Sequence, residues 1–121
     1  MRKKGRIMLV EYDSEIELWL KESWAAHLDW DDSNLCKLTH AVTQIEIEEI
    51  FSNPFFVAGR IVPPADSHWP PEKRFVVVGK TNMGRMLTVV WTTRNQKIRP
   101  ISMRSSANGE KRRYKDSLRN G

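Results

Sequence analysis

Arg85, Arg99 and Arg104 fall at the rims of a predicted β-meander, and Trp91 sits among them. A guanidinium matches phosphate oxygens in a two-pronged fork. An aromatic ring gives an unpaired base a face to stack on, so this set describes a platform for RNA. Trp91 suits a core position as well, and arginines at strand ends also serve as solvated caps. His27, His40 and His68 are spaced too irregularly for a metal cluster. Any one of them could move protons near neutral pH. Of these, His40 alone is placed at the end of a short helix and ahead of a second, capped one. Glu46, Glu48 and Glu49 could hold a metal, but they read better as the solvated face of a helix whose macrodipole favours anions near its start. No phosphate-binding glycine loop, nucleophile elbow or Cys–His pair is present.

The elements that must position these residues follow from pattern. Ser14 with Glu17 suggests a capping box, and Ile16, Leu20 and Trp24, with Trp19 beside them, give an apolar stripe on a helix over 14–26. Leu28–Asp31 alternates like a short strand. Asp31–Ser33 caps a short helix to about His40, with Leu35 and Leu38 inward. Thr43 caps a helix over 44–51 that buries Ile47, Ile50 and Phe51, and Asn53-Pro54 stops it. Strands are predicted over 55–62, 74–80, 85–93 and 97–104, with turns at Thr81–Gly84 and Arg94–Gln96. Residues 63–71 form a proline-rich loop. Pro100 inside the last strand requires an edge or a bulge there. Alternation puts Arg99, Ile101 and Met103 on one face, and Leu87, Val89 and Trp91 together on one face of the preceding strand. A basic helix over 109–118 closes the chain, with Ser105, Ser106 or Asn108 as its cap. The fold class is therefore α+β: N-terminal helices, an antiparallel meander of about four strands, and a C-terminal basic helix.

Charge is distributed unevenly. From Glu72 onward there are 13 Lys/Arg against 3 Asp/Glu, whereas His27–Pro71 has 2 against 7. A half that repels itself calls for a partner that neutralises it: nucleic acid, an anionic membrane or an acidic protein. Arginine supplies 8 of the 13, which favours phosphate. At 121 residues with 40% hydrophobic content, the chain has the length and composition of one globular domain with a real core. A single cysteine, Cys36, forms no internal disulfide, and one Cys with three His excludes the familiar structural zinc patterns. The longest apolar runs are too short to span a bilayer. The basic start resembles a secretory leader only until Glu11 and Asp13 interrupt it, so a cytoplasmic location is expected.

Taken in order, Leu28-Asp29-Trp30-Asp31, His40-Ala41-Val42-Thr43, Ile47-Glu48-Glu49-Ile50-Phe51, Asn53-Pro54, Gly79-Lys80-Thr81, Gly84-Arg85-Met86-Leu87-Thr88-Val89-Val90-Trp91-Thr92, Arg94, Ile98-Arg99, Arg104 and Glu110-Lys111-Arg112-Arg113-Tyr114 resemble the BrnT family. Its members are ribonuclease toxins of type II toxin–antitoxin systems with a RelE-like fold. The resemblance runs from about residue 28 to 115, so it implies a toxin domain over 28–118 and an N-terminal extension over 1–27. It implies cleavage of RNA without a metal or other cofactor, with attack by a 2′-hydroxyl on the neighbouring phosphodiester. Arg85, Arg99 and Arg104 would supply positive charge, and His40 would move protons. Trp91, Lys80, Arg94, Lys111, Arg112, Arg113 and Tyr114 would bind RNA. The implied partners are an RNA substrate and a BrnA-like antitoxin, with operator DNA engaged only through the antitoxin complex and no membrane. Members read Lys-His-Gly where this chain has Thr39-His40-Ala41, which keeps open a silent relative that only binds RNA or a protein.

Overall fold

The computed structural model describes residues 9–22, 28–38, 42–62 and 73–120. In chain order the elements are β1 (Leu9–Glu11), α1 (Ser14–Glu22), α2 (Asp32–Leu35), α3 (Gln44–Ser52), β2 (Phe55–Val62), β3 (Phe75–Lys80), β4 (Met86–Arg94), β5 (Lys97–Ser105) and α4 (Asn108–Asn120). The strands form one antiparallel sheet in the order β1-β2-β3-β4-β5. The expected α+β class and the meander hold, with one strand more than the four expected. The addition is β1, whose three residues are too few to show alternation. Leu28–Asp31 does not become a strand. Leu28 makes a single parallel bridge to Ile98, and the Asp29 N–H donates to the Ile98 carbonyl at 2.7 Å.

Helix starts follow side-chain chemistry. Thr43 caps α3 through a reciprocal box with Glu46, and Asp31 caps α2 through one with Asn34. The first helix begins one residue earlier in its capping than expected: Asp13, not Ser14, accepts from the Ile16 N–H at 3.1 Å. Residues 23–26, including Trp24, lie outside the described residues.

One face of the sheet carries the main core. Ile47, Ile50 and Phe51 of α3 and Leu20 of α1 pack on Val57, Phe75, Val77, Leu87, Val89, Trp91 and Ile98. At Gly79 an added Cβ would stand 2.8 Å from the Ile50 Cβ, so this glycine lets α3 lie directly on β3. The opposite face buries Val78 and Met86 beneath Tyr114 of α4. The β4–β5 turn places Asn95 and Gln96 at φ 53° and 63°, the left-handed pair that tight hairpins favour.

The expected face assignment of β5 is corrected by a bulge. Val90 pairs with Ser102 and Trp91 with Pro100, which leaves Ile101 as an extra residue. Proline has no N–H to give the ladder, and the irregularity falls beside it on an edge strand. Beyond it the phase reverses. Met103 pairs with core-facing Val89, while Arg99 pairs with Thr92, so Arg99 and Met103 do not share a face and Ile98 joins the core.

Candidate nucleic-acid interface

Arg85 closes the β3–β4 loop. Its N–H donates to Thr81 Oγ1 at 3.0 Å, its carbonyl accepts from the Thr81 N–H at 2.8 Å, and the Gly84 N–H returns to the Thr81 carbonyl at 2.9 Å. The loop therefore fixes the arginine's backbone before its side chain makes any contact. The guanidinium then reaches α3 and β5. Nη1 donates to both carboxylate oxygens of Glu46 at 3.2 and 3.3 Å, and Nη2 to Ser105 Oγ at 3.1 Å. The side chain keeps 34% exposure, and a guanidinium has five N–H donors, so capacity for an anion remains. The backbone N–H of Thr43, with Arg85 behind it, holds the Glu46 carboxyl below its ordinary value.

The other two arginines are held differently. Arg99, with its side chain only 9% exposed, donates to Asp29 Oδ2 at 3.4 Å, Asp31 Oδ1 at 2.9 Å and Ser33 Oγ at 2.6 Å. Its hydrogen bond, with help from Ser33, holds Asp31 well below the usual carboxylate range. Asn34, buried beside this cluster, donates to the Asp29 and Pro100 carbonyls. Arg99 thus ties residues 29–34 to the edge of β5. Arg94 lies near the same carboxylates, 3.7 Å from Asp31. Arg104 makes a two-pronged pair with Glu110 at 2.8 Å on each prong. Burial by itself would raise Glu110, but Arg104, the Ala107 N–H and the Thr88 hydroxyl outweigh it and lower it. The Ala107 N–H donates to Glu110 Oε1 and its carbonyl accepts from the Lys111 N–H, so Ala107 occupies the cap of α4, while Ser106 is buried and bonded to Thr88 at 2.8 Å.

These pairings separate the three arginines instead of converging them. Arg85 faces α3, Arg104 faces α4 from the other side of the sheet, and Arg99 is sealed against residues 29–33. Trp91 is 0% exposed, wedged between Trp19, Phe51 and Phe75. Its expected role as a stacking surface is corrected, because the ring has no free face. Tyr114 is corrected for the same reason. It is 3% exposed and donates to the Pro54 carbonyl at 3.1 Å, and burial raises its pKa. Lys111, Arg112 and Lys115 of α4 are exposed, as is Lys80 at the end of β3. Arg113 lies 5.0 Å over the Phe56 ring, a cation–π contact. His40 lies outside the described residues. Among the described residues, no group of three or more His, Cys, Asp or Glu could hold a metal, and Glu46, Glu48 and Glu49 are engaged with Arg85, Trp30 and the Asn82 N–H respectively.

The family model for the ribonuclease toxin BrnT of type II toxin–antitoxin systems matches residues 30–110. The chain belongs to the BrnT family. The match spans α2 through the start of α4, so it takes in Arg85, Glu46, Arg99 and Arg104. No curated protein and no solved structure matches. As a BrnT-family chain it carries that family's general associations, an RNA substrate and a cognate antitoxin. No helix among the described residues is long and apolar enough to cross a membrane.

Sequence reasoning missed the partners more than the positions. The Thr43-x-x-Glu46 box was visible as a cap, yet nothing in it indicated that Glu46 also meets an arginine 39 residues away. Asp31 likewise showed as a cap and proves to be an arginine clamp as well. Only the uneven charge between the two halves hinted at such pairing.

Proposed function

We propose that the chain is a metal-independent endoribonuclease toxin in which Arg85 stabilises the charge of the transition state. The observation that supports this reading is the loop-anchored, part-exposed Arg85 guanidinium, oriented by Glu46 and Ser105 with donors to spare. In-line attack of a 2′-hydroxyl on the adjacent phosphodiester builds negative charge on the phosphoryl oxygens and expels the 5′-oxygen. The products are a 2′,3′-cyclic phosphate and a free 5′-hydroxyl. A preorganised guanidinium lowers that barrier because it need not reorganise as the charge appears. His40, three residues before the Thr43 cap, carries protons between the attacking and leaving oxygens. Arg99 and Arg104, each committed to carboxylates, hold the sheet's edge and α4 in place. The exposed cations of α4, with Lys80, engage flanking phosphates. A BrnA-like antitoxin covers this basic surface, and the complex of the two engages operator DNA. The toxin domain is residues 28–118.

The test is incubation of the purified chain with end-labelled single-stranded RNA in excess chelator. Fragments ending in 2′,3′-cyclic phosphate are expected, and intact RNA under all conditions would refute the reading. A second reading, binding without cleavage, is favoured by the internal pairing of Arg99 and Arg104. It predicts a gel shift with no fragments.

A further inference from the structure

We infer that a cleft at the β3–β4 loop, which also carries Arg85, is a base-reading subsite for an unpaired nucleobase of the RNA strand, built from Asn53, Asn82 and Lys80. This rests on the ribonuclease reading and deepens it. The cleft, about 540 Å3, lies where the end of α3, the end of β3, the β3–β4 loop and α4 meet, and Pro54 and Tyr114 contribute to its lining. Small-molecule sites commonly fall in the range of roughly 300–1,000 Å3.

The two amides in it are fixed in place. Asn53 Nδ2 spends both of its protons, one on the Lys80 carbonyl at 2.9 Å and one on Asn82 Oδ1 at 3.0 Å. The Asn82 backbone N–H is anchored to Glu49 Oε1 at 3.0 Å. Among the described residues, one acceptor, Asn53 Oδ1, and one donor group, Asn82 Nδ2, remain unspent. An adjacent acceptor and donor complement the pairing edge of a nucleobase, the edge through which unpaired RNA bases are read. The Lys80 side chain adds a cation for a further acceptor or for the next phosphate. The loop that carries Asn82 also carries Arg85, and Thr81 hydrogen-bonds Arg85 at its backbone. One short loop thus lines the cleft with Thr81 and Asn82 and carries Arg85.

Asn82→Asp keeps an oxygen that accepts from Asn53 and removes the free donor, but it adds a negative charge, so Asn82→Ala, which removes the donor without one, is read beside it. Wild-type protein, Asn82→Asp and Asn82→Ala are incubated with a randomised pool of single-stranded RNA, and the fragment ends are sequenced. The wild type should prefer a base at one position flanking the cut. Both variants should flatten that preference about tenfold at that position alone, since one base contact carries about that much discrimination. Their melting temperatures should stay near wild type. An unchanged preference in either folded variant overturns the inference while leaving the ribonuclease reading intact. If the wild type cuts nothing, that reading fails and binding decides the inference separately. Anisotropy with short labelled homopolymers and an abasic strand should then show base-dependent affinity in the wild type that Asn82→Asp levels. Equal affinity of the wild type for base-bearing and abasic strands overturns it.

Discussion

The arginines of the strands and the cations of α4 come from the same basic half of the sequence, yet they face different environments. Arg85, Arg99 and Arg104 each meet a carboxylate, and for Arg85 and Arg99 that carboxylate comes from the acidic middle of the chain. Lys111, Arg112 and Lys115 are exposed on a helix with two acidic residues of its own, Glu110, which is turned to Arg104, and Asp116, which is paired with Arg119. Part of the charge skew that seemed to demand an external partner is thus neutralised internally. What is left outward-facing is mostly on α4, with Lys73, Lys80 and Lys97 exposed elsewhere. A charge count along a sequence locates an interface only after the internal pairs have been subtracted.

The largest effect should come from a charge with no partner at all. Val89 is fully buried at the centre of the sheet, so Val89→Asp should cost several kcal/mol and leave the domain unfolded by circular dichroism. A folded variant with an unchanged melting temperature would mean that β4 is out of phase with the core.

Removing a partnered, buried charge should cost less. Arg99→Ala strips Asp29, Asp31 and Ser33 of their shared donor and should lower stability by about 1–3 kcal/mol in denaturant titration. It should also change the response to acid. Because Asp31 and Glu46 titrate below 3.8 and 4.5 in the folded protein, their stabilisation is complete above those values and fades as pH falls through the lowered ones. The wild-type melting temperature should therefore fall below about pH 4, and Arg99→Ala should fall less steeply because Asp31, left with Ser33 alone, gains less from folding. Parallel curves would contradict the clamp.

On α4 the expectation is reversed, with little stability lost and much binding. Wild-type affinity for single-stranded RNA should drop about two to three decades between roughly 50 and 200 mM salt. Replacing Lys111, Arg112 and Lys115 together by Gln should shrink that drop to about one decade, with thermal melting unchanged. A salt slope equal to wild type would move the interface elsewhere. The smallest effect belongs to Arg104→Ala, whose half-exposed pair should be worth about 1 kcal/mol or less.

Much of this fold was legible beforehand. Thr43 with Glu46, the run Phe75–Val78, and the stop at Asn53-Pro54 carry local signals that the structure preserves. Pro100 announced the irregularity in β5, but the side on which the phase would reverse depends on which strand takes the extra residue, and only pairing with β4 decides that. Trp91 and Tyr114 show the limit for the site. Burial of an aromatic depends on what packs over it, and Trp19 and Pro54 come from distant parts of the chain. The position of Arg85 at the exit of a turn was visible because a Gly-Arg step is local; its pairing with Glu46 was not, because ion pairs across 39 residues leave no local pattern.

Single-turnover cleavage of RNA by Arg85→Ala and Arg85→Lys, measured beside their melting temperatures, tests the central claim most directly. Loss of a guanidinium contact made in the transition state should cost about 2–4 kcal/mol, or about 30- to 1000-fold in rate. Lysine should recover part of that, because it keeps the charge without the fork. Both variants should remain folded, since a part-exposed pair such as Arg85–Glu46 contributes little to stability. Full cleavage by a well-folded Arg85→Ala protein would show that Arg85 only anchors the hairpin to α3 and would remove it from the catalytic site.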